Sequence, residues 1–110
     1  MTTSYEQGRA AEYRCQELLE TEGYTTCRAA GSKGKIDVIA WNTSEIRFIQ
    51  VKTYRSKAGS YKQDVAALDT LALPANGAVE LWVRRVGSRT WDVRYIRTNT
   101  TFTPDTRVDD

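Results

Sequence analysis

Residues 31–52, GSKGKIDVIAWNTSEIRFIQVK, constrain the fold of this chain more than any other stretch. Two apolar runs flank Asn42-Thr43-Ser44, a set of turn-forming residues. In the first run Ile36, Val38 and Ala40 alternate with Asp37, Ile39 and Trp41; in the second, Ile46, Phe48, Gln50 and Lys52 alternate with Arg47, Ile49 and Val51. A period of two sends successive side chains to opposite faces of a sheet. The pattern predicts an antiparallel hairpin with Gln50 and Lys52 on one face and Asp37 beside them. An acid, an amide and a lysine on an otherwise apolar hairpin need a reason. Polar groups on a face that should be core cost free energy unless they are paired or used.

The remaining elements follow from periodicity and punctuation. Residues 4–22 read as a helix, with Ala11, Cys15, Leu18 and Leu19 at i, i+4, i+7 and i+8, Ser4 placed to cap it and Gly23 to end it. Residues 24–30 read as a strand. The Gly31-Ser32-Lys33-Gly34 loop then permits close backbone approach to a phosphate, or is an ordinary turn. Residues 53–60 are small, polar and basic, a mobile loop placed to touch nucleic acid. A second helix is expected over 61–73, with Val65, Leu68 and Ala72 inward, ended by Pro74 and Asn76-Gly77. Strands at 78–83 and 91–96 follow, separated by Gly87-Ser88. Trp82, Trp91 and Tyr95 are expected in the core or at a dimer contact. The order αβββαββ describes an α/β fold with a mixed five-stranded sheet flanked by helices. Residues 1–96 form one domain, and the threonine-rich segment 97–110 is a polar, partly ordered tail.

Composition removes several chemistries. The chain has no histidine, which excludes histidine acid–base catalysis and histidine metal ligands. Its two cysteines, Cys15 and Cys27, fit reduced core positions, with a disulfide between them as the alternative, and are too few for a zinc site. Any metal must therefore sit on oxygen ligands, which favours magnesium or manganese. No apolar run approaches a membrane span and the first residues lack a signal peptide's apolar region, so a cytoplasmic protein without a membrane partner is expected. Net charge is only +2, but its distribution is uneven. Arg47, Lys52, Arg55, Lys57 and Lys62 form a run without an acid, and Arg28, Lys33 and Lys35 form another just before Asp37. A basic rim around an acidic centre suits a phosphodiester substrate; the alternative is an ordinary solvated surface.

Ile36-Asp37 followed by Gln50-Val51-Lys52 resembles the PD-(D/E)XK nuclease superfamily, whose signature is an acid on one strand and (D/E)-x-K on the next. Within that superfamily, Gly8-Arg9-Ala10-Ala11-Glu12 on the first helix, Gly31-Ser32-Lys33, Asp37 and the x-V-K strand together resemble the archaeal-type Holliday junction resolvases, over roughly residues 5–96. The departure is Gln50, where the family has glutamate. The resemblance implies a restriction-endonuclease-like core and a metal-dependent endonuclease that cuts four-way DNA as a homodimer, since one small domain supplies one site and two opposing cuts need two. Trp82, Trp91, Tyr95 and Phe102, aromatic residues late in a short chain, give a second reason to expect a dimer.

Under that resemblance Asp37 is the central metal ligand and Glu12 a second or water-mediated one. The Gln50 side-chain oxygen and the Val51 carbonyl complete the set around Mg2+, with Mn2+ as a substitute. Lys52 orients or activates the attacking water and stabilises developing charge, or else is a structural salt-bridge partner. Ser32 positions the backbone phosphate. Arg9, Lys33, Lys35, Arg55, Lys57 and Lys62 are DNA-binding candidates. Tyr54 stacks on DNA, bonds a phosphate or covers the sheet edge. An amide at position 50 leaves two carboxylates rather than three, so weaker metal affinity is expected. Two other readings stay open: a repair or restriction-type nuclease of the same superfamily, and a junction-binding protein that does not cut.

Overall fold

The computed structural model describes residues 3–29, 35–99 and 107–109. The elements run α1 (Ser4–Thr21), β1 (Thr25–Arg28), β2 (Val38–Trp41), β3 (Ile46–Tyr54), α2 (Lys62–Asp69), β4 (Gly77–Arg85), β5 (Thr90–Thr98) and β6 (Arg107–Asp109). They build one mixed sheet in the order β1-β2-β3-β4-β5-β6. Only β3 and β4 pair in parallel, joined through α2; every other neighbouring pair is antiparallel. The expected αβββαββ order is present, and β6, drawn from the segment expected to be a polar tail, adds a sixth strand on β5. β5 itself runs on through Thr98. Phe102 lies outside the described residues.

The hairpin forms as its alternation requires. Asn42 Oδ1 accepts the N–H groups of Ser44 and Glu45, each at 2.9 Å, and closes the turn between β2 and β3. β3 and β4 lie at the centre of the sheet. α1 packs on β1, β2 and β3, whereas α2 packs on β4 and β5. Two apolar clusters result: Ala11, Cys15 and Leu19 of α1 meet Val38, Ala40, Ile49, Val51, Trp82 and Trp91, and Leu68 of α2 meets Val79, Leu81 and Val83. Trp82 and Trp91 are both fully buried and pack edge to face at 5.4 Å, so one chain absorbs them without a partner, and Tyr95 packs against the same cluster.

Several boundaries differ from expectation for local reasons. Thr3, not Ser4, caps α1: its hydroxyl accepts the Glu6 N–H at 3.1 Å, and Ser4 already belongs to the helix. Gly23 ends α1 at φ +97°, with Tyr24 N–H bonding Leu19 O and Gly23 N–H bonding Glu20 O, a Schellman ending that requires the left-handed region. α2 stops at Asp69 rather than 73, and Ala72 is exposed. Pro74 disfavours helix at the residue before it, and Arg97 donates to the Asp69 and Leu71 carbonyls, holding the chain off its helical path. Cys15 is buried as expected, whereas Cys27, on the uncovered face of strand β1, is exposed; both thiols are free.

Arg47 also departs from its expected place in the basic rim. It points to the α1 side of β3, where it is buried and forms a bidentate pair with Glu80 of β4, both contacts at 2.7 Å. Trp82 Nε1 donates to the same carboxylate at 2.9 Å. A buried guanidinium needs such a fork of acceptors, and strand alternation turns Arg47 away from Gln50 and Lys52.

Candidate active site

The site grows from a fork in the sheet. The β2–β3 register ends at Val38 opposite Ile49, while β3 continues beside β4 through Tyr54. The Asp37 N–H still bonds Ile49 O at 2.8 Å, so the chain stays against β3 up to the point of divergence. Beyond it the Val51 N–H has no strand partner on that side. The Asp37 carboxylate takes its place, accepting the Val51 N–H at 2.8 Å. In a strand the N–H and C=O of one residue face the same neighbour, so the Val51 carbonyl opens into the fork beside the Asp37 side chain. The hairpin therefore delivers an acid and a backbone oxygen together.

Glu12 reaches this fork from α1. Its carboxylate lies 3.0 Å from Arg28 Nε, and the Arg28 guanidinium sits over the Tyr13 ring at 4.7 Å. Burial, then the nearby charge of Asp37, push the Glu12 carboxyl above its ordinary value, and Arg28 offsets only part of this. Burial likewise raises Asp37, against the opposing pull of the Val51 N–H, Lys52 and Arg28. Two neighbouring carboxyls that both resist ionisation are a place where added positive charge would favour the ionised forms.

Gln50 and Lys52 share the α2 face of β3. Gln50 is buried; its Nε2 lies 3.5 Å from Asp64 Oδ1, and its Oε1 has no hydrogen-bond partner among the described residues. Lys52 Nζ lies 3.8 Å from the same Asp64 oxygen, and Lys35 Nζ 4.0 Å. Asp37, Glu12, Gln50 and Val51 offer hard oxygen donors, the chemistry that suits a divalent cation, and Gln50 Oε1 is buried without a hydrogen-bond partner among the described residues. Among the described residues no three acids or thiols cluster at metal-holding distance, in keeping with an amide at position 50.

The rim is less uniform than the sequence suggests. Lys35, Arg55, Lys57 and Lys62 are exposed. Arg55 donates to Gln7 of α1 at 3.0 Å, tying the segment after β3 to the helix that carries Glu12. Arg9 is exposed and sits over the Tyr5 ring at 5.4 Å. Tyr54 packs half-buried against the α2 cluster, which makes it a cover for the sheet. Ser32 and Lys33 lie outside the described residues. Asp64 was not among the sequence candidates, because an acid in the first turn of a helix is ordinarily explained by the helix dipole. Its spacing from buried Leu68, i to i+4, was the available signal that it faces the sheet.

Comparison with known proteins bears on the whole chain. Residues 3–108 match the family described as archaeal Holliday junction resolvase (Hjc). The crossover junction endodeoxyribonuclease Hjc of Methanocaldococcus jannaschii is 39% identical over 70 residues, 62% of this chain. The match spans about half of that relative, 51% of its length. The solved structure of Archaeoglobus fulgidus Hjc, a Holliday junction resolvase from an archaeal hyperthermophile, superposes with a TM-score of 0.64 at 19% identity, over 94% of this chain and 84% of that one. At that identity the likeness concerns the fold.

Proposed function

The chain belongs to the archaeal Holliday junction resolvase family, and on that premise we propose that it is an endonuclease that resolves four-way DNA junctions by divalent-metal-dependent hydrolysis of phosphodiesters. The observation that carries the proposal is the fork between β2 and β3, with Asp37 bonded to the Val51 N–H, Glu12 electrostatically coupled to it, and Gln50 Oε1 buried without a partner among the described residues. Asp37, Gln50 Oε1 and the Val51 carbonyl would hold the cation, with Glu12 as a direct or water-mediated ligand; magnesium is the expected ion and manganese its substitute. When bound, such a cation lowers the pKa of water and neutralises charge on the phosphate.

The chain's own groups supply the rest. Lys52, one turn of the pleat beyond Gln50, orients the attacking water and stabilises charge developing on the phosphate oxygens. Arg28 holds Glu12 in place through its 3.0 Å contact. Arg9, Lys35, Arg55, Lys57 and Lys62 neutralise backbone phosphates on either side of the cut, and Ser32 and Lys33 are assigned to the same task by the motif order alone.

Two opposing cuts require two sites, so the working unit is a homodimer. Cys27, Ile39, Trp41 and Ile46 share the face of β1, β2 and β3 opposite α1; none is buried, and α2 covers β4 and β5 instead. We assign that apolar face to the second copy. Among the described residues no helix is long and apolar enough to cross a membrane, and we place the enzyme in the cytoplasm with its DNA. A binding-only protein is the second reading, favoured by the lack of a three-acid cluster among the described residues. Cleavage of synthetic four-way, Y-shaped and linear duplex DNA with magnesium or manganese tests the proposal. Metal-dependent cutting confined to the four-way substrate is expected. Tight junction binding without cutting supports the second reading, and equal cutting of all three points to another nuclease of the superfamily.

A further inference from the structure

Asp64 is the charged residue that the nuclease proposal leaves unused, yet it has the richest set of partners at the site. Its Oδ1 lies 3.5 Å from Gln50 Nε2, 3.8 Å from Lys52 Nζ and 4.0 Å from Lys35 Nζ. A carboxylate has no hydrogen to donate, so only the NH2 end of the Gln50 amide can face it. The amide is planar, and turning Nε2 toward α2 turns Oε1 away from it. Gln50 Oε1 is accordingly buried with no hydrogen-bond partner among the described residues. An amide left to itself has two orientations, and only one presents an oxygen to a cation.

We propose that Asp64 is a positioning residue: it fixes the Gln50 amide with its oxygen turned to the cation site beside Asp37. A glutamine thereby serves where the superfamily motif has an acid. The inference rests on the proposed metal site, and it carries a consequence specific to this pairing. A glutamate at position 50 would meet Asp64 as a like charge, raising a carboxyl pKa and opposing metal binding. Leucine at position 64 would remove that repulsion and leave the glutamate carboxylate to the cation.

Asp64→Leu, which leaves the Gln50 NH2 no acceptor, should therefore have opposite effects in the two backgrounds. Calorimetric titration of Mn2+ into metal-free protein should show binding weakened roughly tenfold or more by Asp64→Leu when residue 50 is glutamine, as expected for a partner that orients a ligand. In the Gln50→Glu background the same substitution should tighten Mn2+ binding. Simple loss of a negative charge near the cation predicts weakening in both, and that result overturns the proposal. A second readout needs no metal. The side-chain amide resonances of Gln50, identified by their loss in Gln50→Glu, should move in Asp64→Leu and Asp64→Ala while those of Gln7 and Gln16 stay. Resonances that do not move overturn the proposal. Asp64→Glu, which keeps the acceptor, should retain wild-type Mn2+ affinity within a small factor and serves as the folding control. A wild type that binds Mn2+ with this pattern but cuts no junction would sink the nuclease proposal and leave the positioning role standing. A wild type that cuts four-way DNA while Asp64→Leu weakens Mn2+ binding in both backgrounds would do the reverse.

Discussion

Asp37 accepts a hydrogen bond from Val51 that favours its charged form, yet burial outweighs it and holds the carboxyl above its ordinary value of 3.8. The sign of the linkage follows. Between 3.8 and the higher folded value the native chain binds more protons than the unfolded one, so ionisation of Asp37 removes stability as pH rises through that window. Asparagine can still accept the Val51 N–H and never ionises. Asp37→Asn should then be more stable than wild type at pH 7 in metal-free buffer, with the advantage vanishing below about pH 4, near the free carboxylate value. Urea denaturation at both pH values measures it, and an equal or lower midpoint at pH 7 would contradict the raised carboxyl. At this scale the sequence was readable wherever one element suffices. Alternation alone put Gln50 and Lys52 on one face and Arg47 on the other. What it left out depends on contacts between distant segments. The pairing of Arg47 with Glu80 needs the parallel β3–β4 register, and the reach of Asp64 to Gln50 needs the path of α2 over the sheet.

The element that matters most is β3, which outruns β2 and leaves an open edge. Its existence was legible from period two, but the fork was not, because a strand end set by a side chain in place of a backbone partner leaves no periodic mark. The segment after β3 was read as a mobile loop, and Arg55 is in fact tied back to α1 through Gln7. Arg55 and Lys57 are both exposed just beyond β3. Changing both to alanine should weaken junction binding and flatten its dependence on salt. Each lost phosphate contact lowers the log–log slope by roughly one unit. Binding titrations across a salt series on uncut junction in chelator provide the check, and an unchanged affinity and slope would move the DNA contact elsewhere.

For the whole molecule, α1 and α2 divide one sheet between them, and the division places the site at the seam. Glu12 comes from the α1 side and Asp64 from the α2 side, with the fork of β2 and β3 between. The same division leaves the apolar face around Ile39 and Trp41 without a helix among the described residues. The aromatic argument for a dimer changes accordingly: Trp82 and Trp91 fill the core of one chain, and Trp41 takes over as the residue a second copy would cover. A paired, metal-dependent cut centred on Asp37 is the claim on which the rest depends. A supercoiled plasmid with an extruded four-way cruciform measures it, because two cuts in one binding event give linear DNA and single cuts give open circles. With magnesium, the wild-type chain should produce linear plasmid directly, while folded Asp37→Asn should bind the cruciform at least as tightly and cut neither strand. Wild-type rates of linearisation by Asp37→Asn would contradict the account.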